Sequence, residues 1–376
     1  MKEVIVFGLT DSIGGVENYL LNMQEELEDR IRFLFFIEDS RIMYAERIAA
    51  HHGEAVFIPR KNGLKEYLRL MWKNLAGYRA RTDVLYLNIS NYSHELFALL
   101  QMARRLKYRV LVHSHGAMLQ PIETALHRAT HKVVKQMCLL SVNRCFRIAV
   151  SDRAGRFMYG AKSYRVLYPG VDLKRFRFNR EVREEIRNRY ACGDRFVLGF
   201  VGRMVEVKNP GFAVRVFAEA CRMAGKDRLL FLMVGDGPLL EETREQARQL
   251  GLEKEVLFLG ASDQVPALLQ AMDCFIGTSL SEGMPLGMME AEGAGLPLIC
   301  AEGRFPHELV VTDQVHMIPL EAGEKAWAET LIRTMEDRPA DREAWLQAHQ
   351  SDIIAFDRQL NAEKLAGFIE GREESR

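Results

Sequence analysis

Strand-length apolar runs alternate with helically spaced segments along this 376-residue chain, and the alternation is played through twice. In the first half the runs are Val4–Phe7, Arg32–Ile37, Ala55–Ile58, Val84–Leu87, Arg109–Val112 and Arg147–Val150. In the second half they are Phe196–Val201, Leu229–Val234, Val256–Leu259, Cys274–Thr278 and Leu298–Cys300. Between them apolar residues recur at helical intervals, as in Val16, Tyr19, Leu20, Met23 and Leu27 just after Gly14-Gly15. Strand-helix alternation repeated in this way predicts two α/β domains, each a parallel sheet with helices on both faces. Ligands of such sheets bind outside the carboxyl ends of the strands. Two domains also suit the length, at roughly 100–200 residues each. The divide is expected near Tyr168-Pro169-Gly170-Val171-Asp172, where a charge-rich stretch from Lys174 to Arg195 begins. That gives a first domain over 1–168, a second over 169–352 and a helical tail over 353–376, with Phe356, Leu360, Leu365 and Phe368 among its apolar positions.

Several function classes are disfavoured by composition. Apolar stretches such as Val4 to Leu9 and Leu229 to Val234 are far shorter than a membrane span. The MKEVIVFG start lacks the long apolar region of a signal peptide, so a cytoplasmic protein is expected. Cysteines 138, 145, 192, 221, 274 and 300 form no C-x-x-C pair and read as free thiols in a reducing compartment. Formal net charge is zero, yet residues 1–170 hold 25 Lys+Arg against 16 Asp+Glu, and the remainder 26 against 35. Arg60, Lys61, Lys65, Arg69, Lys73, Arg79 and Arg81 fall in one run with Glu66 as its single acid. Such a run is either a solvated helix face or a surface drawn to anionic lipid headgroups, worth about 1 kcal/mol per residue near the bilayer. Interleaved Leu68, Met71, Trp72 and Leu75 fit an interfacial amphipathic helix. An acidic second half and the lack of an aromatic-basic motif argue against nucleic acid as a partner.

The richest stretch is SEGMPLGMMEAEGAGLP, residues 281–297. Glu282 and Glu290 lie eight apart around Gly283, Met284, Pro285 and Leu286. Gly283 allows backbone amides to approach a ligand closely. Pro285 suits the first turn of a helix over Leu286 to Ala294, whose N-terminal amides can face a diphosphate. Two carboxylates flanking one anion-binding helix start would suit a sugar nucleotide, with hydroxyls for the acids and phosphates for the amides. Four further segments accompany it: Gly14-Gly15-Val16-Glu17, Val201-Gly202-Arg203 with Lys208-Asn209-Pro210, Val234-Gly235-Asp236-Gly237-Pro238, and Phe258-Leu259-Gly260. All stand at or just after predicted strand ends. His113 and His115 follow the strand over 109–112 in VLVHSHGAM; they could be metal ligands, but no third ligand is apparent.

Together these segments resemble the family 4 retaining glycosyltransferases (glycosyl transferases group 1), exopolysaccharide type: the EX7E signature, the G-R-x(4)-K-N loop, the V-G-D-G-P turn, the F-L-G strand end and the G-G-V-E loop occur in family order. The resemblance implies a GT-B fold, two Rossmann-like domains facing a cleft, the first binding acceptor and the second donor, with the last helix crossing back onto the first. It implies Arg203 and Lys208 as cations on the donor phosphates, Glu290 on the ribose hydroxyls, and Glu282 nearer the transferred sugar. Gly14, Gly15, Gly235, Gly260, Gly283, Met284, Pro285 and Leu286 are the further donor-site positions. His113 is expected to approach the donor sugar, with His115 close behind. Glu282 could equally cap the helix at Pro285. Pro169 stands where the family usually has Asn.

The function implied by the resemblance is a retaining, metal-independent transfer of a hexose from a nucleoside-diphosphate sugar, UDP by family frequency, by front-face substitution. No cofactor is expected, and no D-x-D for a metal-bridged diphosphate occurs in the chain. The acceptor would be a saccharide or polyprenyl-diphosphate-linked sugar, chosen by loops such as 116–130, with the enzyme peripheral on the inner membrane face. An epimerase of the same architecture or a non-catalytic sugar-nucleotide-binding partner subunit are the alternatives. A nicotinamide-dependent oxidoreductase fails for want of a G-x-G-x-x-G turn.

Overall fold

The computed structural model describes residues 1–11, 14–60, 63–116, 125–337 and 341–372. The chain divides into two compact units, Met1–Gly170 with Arg358–Arg376, and Val171–Asp357.

Unit 1 holds seven strands: β1 (Lys2–Phe7), β2 (Ile31–Ile37), β3 (Glu54–Phe57), β4 (Val84–Ile89), β5 (Arg109–Ser114), β6 (Phe146–Ala149) and β7 (Arg165–Val166). They form one sheet in the order β3-β2-β1-β4-β5-β6-β7. Each pairing is parallel. Strands such as β1 and β4 are apolar nearly throughout because helices cover both faces, which leaves no solvent side to call for alternation.

Unit 2 repeats the design with β8 (Phe196–Val201), β9 (Leu229–Val234), β10 (Val256–Gly260), β11 (Cys274–Gly277), β12 (Leu298–Ala301) and β13 (Val315–Ile318). Their order is β10-β9-β8-β11-β12-β13, again parallel. The strand order reverses between β1 and β4 in unit 1 and between β8 and β11 in unit 2. At such switch points the chain leaves neighbouring strands in opposite directions and opens a crevice at their carboxyl ends.

The two-sheet α/β fold is the one expected, with two additions. β7 and β13 are edge strands that apolar periodicity does not mark. β7 has only two residues, both exposed, and three of the four residues of β13 are partly exposed. Edge position removes the demand for continuous apolarity, so the pattern that marks central strands is missing.

Helix Arg358–Glu370 belongs to unit 1, as the crossover expectation required. Ala362, Leu365, Ala366, Phe368 and Ile369 join the core formed by Val4, Tyr19, Leu20 and Phe33. Burying a large apolar side chain of this kind contributes roughly 1.5–3 kcal/mol. Polar clamps add direction: Arg30 forms a two-pronged pair with Glu370 at 2.8 and 2.7 Å, and Arg358 meets Glu26 at 2.7 Å. Gly170 sits at φ +77° with Arg358 Cα where its own Cβ would be, 2.7 Å from that point. Only glycine fits there.

Candidate functional site

In unit 2 three loops gather at the carboxyl ends of β8, β9 and β11. The loop after β8 carries Gly202, Arg203 and Lys208, and the β9 turn wraps around it. Gly202 N–H donates to Val234 O at 3.0 Å, and Met204 N–H to Asp236 O at 2.8 Å. A Cβ on Gly235 (φ +140°) would lie 1.8 Å from Gly202 O, so this glycine is what lets the two loops touch. Gly235 N–H donates in turn to Gly260 O at 2.8 Å, tying β10 to the same layer. Gly260 takes a positive φ of 68° with open space beside it. These two glycines shape the loops.

Asn209 adopts the left-handed conformation (φ 52°) and opens the Pro210–Ala224 helix. Asn tolerates that region better than most residues. Buried Thr278, at the end of β11, donates its hydroxyl to both Lys208 O and Asn209 O at 3.0 Å. Sequence reasoning missed this threonine. Its signal is a hydroxyl placed just after an apolar strand, which is weak without the fold.

Lys208 Nζ meets Glu282 Oε1 at 2.5 Å, with the two side chains 25% and 13% exposed. This pairing answers the capping alternative: Glu282 is engaged by Lys208, and helix Leu286–Gly293 has no side-chain cap. Pro285 is the N-cap residue rather than part of the first turn, because the helix starts one residue later than the proline rule implies. Among the described residues, the amides of Met284, Leu286 and Gly287 have no acceptor. Arg203 is exposed and its guanidinium has no ion-pair partner among the described residues. Glu290 is half-buried, its carboxyl without a hydrogen bond among the described residues. Burial pushes it up to about 7, with Arg175 opposing. Two residues on, fully buried Glu292 accepts from Thr312 Oγ1 at 3.0 Å, and burial lifts it to about 8. Cations, open amides and a carboxyl poised near neutrality thus share one strand-end crevice. Such a crevice can bind a diphosphate on one side and hydroxyls on the other.

Comparisons with known proteins bear on the family and the fold. Residues 13–175 match the model of Glycosyltransferase Family 4, and residues 182–351 that of Glycosyl transferases group 1. The chain belongs to the group 1 glycosyltransferases. The putative glycosyltransferase EpsF of Bacillus subtilis is 27% identical over 341 residues, covering 85% of this chain and 84% of that protein. An Escherichia coli UDP-Gal:alpha-D-GlcNAc-diphosphoundecaprenol alpha-1,3-galactosyltransferase is 36% identical over 142 residues, 36% of this chain and 35% of its own. In fold, the chain resembles the crystal structure of Anabaena Alr3699/HepE in complex with UDP. The TM-score is 0.79 at 18% identity, over 99% of this chain and 100% of that one. The protein is a glycosyltransferase of the GT-B fold.

Unit 1 of this glycosyltransferase has its own strand-end cluster, and there the structure separates the two histidines by burial. β5 runs to Ser114, two residues beyond the predicted end, so His113 lies inside the strand with no exposed surface. Its Nδ1 meets Tyr86 Oη at 2.6 Å, and Tyr86 Oη meets Tyr19 Oη at 2.8 Å. Burial and the neighbouring His115 ring hold His113 far below the usual imidazole range. His115, beyond the strand, is the member of the pair with exposed surface. Its Nε2 lies 2.9 Å from Asn88 Oδ1, and burial pushes it down to about 3. Gly14 is the N-cap of helix Gly15–Glu26, and a Cβ there would meet Glu17 Oε2 at 2.4 Å, so the glycine leaves room for that carboxylate to fold back. Gly15 has open space around it. Thr10 Oγ1 donates to Glu17 Oε1 at 2.5 Å. Residues 117–124, in the loop expected to choose the acceptor, lie outside the described residues.

Four arginines of the basic run are engaged within unit 1. Arg60 pairs with Glu38, Arg69 with Glu66, and Arg81 with Glu3 and Glu54. Arg79 donates to Leu106 O and Lys107 O. Met71 and Leu75 are core residues, whereas Trp72 and Leu64 are exposed. Among the described residues no helix is long and apolar enough to cross a membrane. All six cysteines are free thiols, and Cys138, Cys192, Cys221, Cys274 and Cys300 are buried.

Proposed function

We propose that this glycosyltransferase moves a hexose from a UDP-sugar to a saccharide or polyprenyl-diphosphate-linked acceptor in cell-surface polysaccharide synthesis, with retention and without a metal ion. The observation that carries the reading is the unit 2 crevice, where the Lys208–Glu282 pair stands beside unpaired Arg203, the open amides of Met284, Leu286 and Gly287, and the poised carboxyl of Glu290. As the bond from the anomeric carbon to the diphosphate breaks, negative charge grows on the departing oxygen. Fixed cations and amides there stabilise the transition state more than the ground state. Glu290 accepts from ribose hydroxyls, and Glu282 holds Lys208 in place while facing the sugar. The acceptor hydroxyl gives its proton to a departing phosphate oxygen as its own oxygen bonds the anomeric carbon on the same face. In unit 1, His115 takes the sugar-facing part expected of His113, because it is the histidine with exposed surface.

The enzyme works at an anionic membrane surface. Its support is a ridge of exposed Val133, Met137 and Leu140 on helix Ala125–Ser141, spaced to share one face, with exposed Lys132 beside it. Lys65, Lys73 and Trp72 form a second candidate surface. The acceptor reading draws on the diphosphoundecaprenol substrate named for the Escherichia coli relative.

The test is thermal shift with UDP, GDP, ADP and their sugar conjugates, with and without EDTA. A Tm rise with UDP that EDTA leaves unchanged is expected. A rise that EDTA abolishes overturns the metal-free reading, and no rise with any nucleotide overturns the donor site.

A further inference from the structure

We propose that Asn88 is a positioning residue that locks His115 as its Nε2–H tautomer, so that unit 1 offers a bare Nδ1 lone pair to a sugar hydroxyl. The inference rests on the reading of His115 as sugar-facing, and local hydrogen-bond geometry carries it.

Asn88 Nδ2 donates to Phe7 O at 3.2 Å. A carbonyl oxygen can only accept, so the NH2 end of the amide faces β1 and Oδ1 is turned toward His115. Oδ1 can only accept as well, and it lies 2.9 Å from His115 Nε2. The hydrogen of that bond therefore sits on Nε2. His115 carries a single proton at neutral pH. The His113 ring packs 4.3 Å away and the Tyr19 ring 5.2 Å away, and desolvation works against a second proton and the charge it would bring. Nδ1 is left as an acceptor, with no hydrogen-bond partner among the described residues.

The approach of Asn88 is built into the sheet. Gly8, just past β1, has φ +111°, and a Cβ there would lie 2.5 Å from Asn88 O and 2.7 Å from Asn88 Cβ. Any other residue at position 8 would push β4 away from β1 at the switch point. The titratable groups facing His115 are His113 from β5 and Tyr19 from helix Gly15–Glu26, with Tyr86 of β4 behind them. All are held in neutral forms by burial. A bare imidazole lone pair attracts a hydroxyl hydrogen and repels a phosphate oxygen. The ligand class at this position is thus a neutral polyol.

Long-range 1H–15N correlation on the full chain labelled with 15N-histidine reads the tautomer directly, His115→Gln identifying the resonance. Wild type is expected to show a protonated Nε2 and a bare Nδ1 at His115, and Asn88→Ala a mixture of both tautomers. With a UDP-sugar donor, Asn88→Ala should lower kcat about tenfold and leave the Kd of free UDP unchanged. Asn88→Asp keeps the side-chain shape but sets a carboxylate oxygen against Phe7 O, so a thermal melt of each variant checks that it is folded. Asn88→Asp should make His115 easier to protonate and move the acid limb of the kcat profile upward by at least about one unit. A proton on Nδ1 in the wild type overturns the proposal, as does an Asn88→Ala enzyme whose tautomer or kcat matches wild type. The expected tautomer in a protein that binds no sugar nucleotide would remove the functional reading and the role built on it, while leaving the Asn88–His115 geometry in place.

Discussion

Units 1 and 2 share one architecture and present opposite chemistry at the same place in it. Each is a parallel sheet whose strand order reverses once, opening a crevice at the carboxyl ends of β1 and β4, or β8 and β11. In unit 1 the crevice carries a neutral acceptor, the imidazole of His115, while the Glu17 carboxylate folded over Gly14 is buried and engaged by Thr10. In unit 2 it displays cations and amides: Arg203, Lys208 and the start of helix Leu286–Gly293. Burial acts on both sites in the same sense. It holds His115 neutral by lowering it and Glu290 near neutrality by raising it. Desolvation thus removes charge wherever no partner supports it. What persists in unit 2 is Lys208, which has Glu282, and Arg203, which is exposed. The fold supplies a crevice, and a handful of loop residues decide the sign of what it binds.

The largest effect that would break this contrast is at Lys208. Lys208→Ala is expected to lower donor turnover roughly 10²- to 10³-fold, the range for losing one transition-state charge contact, while Arg69→Ala leaves turnover unchanged. Steady-state kinetics with a UDP-sugar measure both. An active Lys208→Ala enzyme would erase the assignment of unit 2 as the phosphate site.

Glu292 sharpens the burial half of the comparison. Its folded-state pKa of about 8 stands above the ordinary carboxyl value of 4.5, so its contribution is fully present below the lower value and is lost as pH rises through the upper one. Unit 2 should lose on the order of 3 kcal/mol between pH 5 and 8 through this one group. Glu292→Gln should flatten that loss, as read by urea melts at the two pH values. An unchanged slope would mean Glu292 is not held neutral.

A smaller effect is expected at Glu290. With its pKa near 7, the carboxylate is the stronger acceptor for ribose hydroxyls above neutrality. A UDP-sugar, whose diphosphate does not titrate in this range, should bind several-fold more tightly at pH 8 than at pH 6, by roughly the change in ionised fraction. Glu290→Gln should bind it equally at both, as calorimetry would report.

Much of the fold was legible because its central strands, β1, β4, β8 and β9, are nearly uninterrupted apolar runs of strand length. Edge strands β7 and β13 were not, since half-exposed positions carry no such constraint. In the site, the G-R-x(4)-K-N and EX7E segments mark the unit 2 crevice because close backbone packing demands specific residue types: Gly235 against Gly202, and Asn209 in a left-handed turn. Thr278 escaped notice because its two acceptors lie about seventy positions away in sequence.

By itself the sequence determined the two-sheet alternation, the family, and which loops carry charge and glycine, since each is written in local spacing. Tertiary structure alone decided three things. It placed His113 in the core and left His115 partly exposed beyond the strand, because β5 gains two residues by pairing with β4. It paired Arg60 and Arg81 of the seven-base run with Glu38, Glu3 and Glu54, which come from other strands and loops to meet them at the surface. It joined Lys208 to Glu282 across 74 positions. In each case the deciding partner is distant along the chain, and only the packing of the sheet brings it within reach.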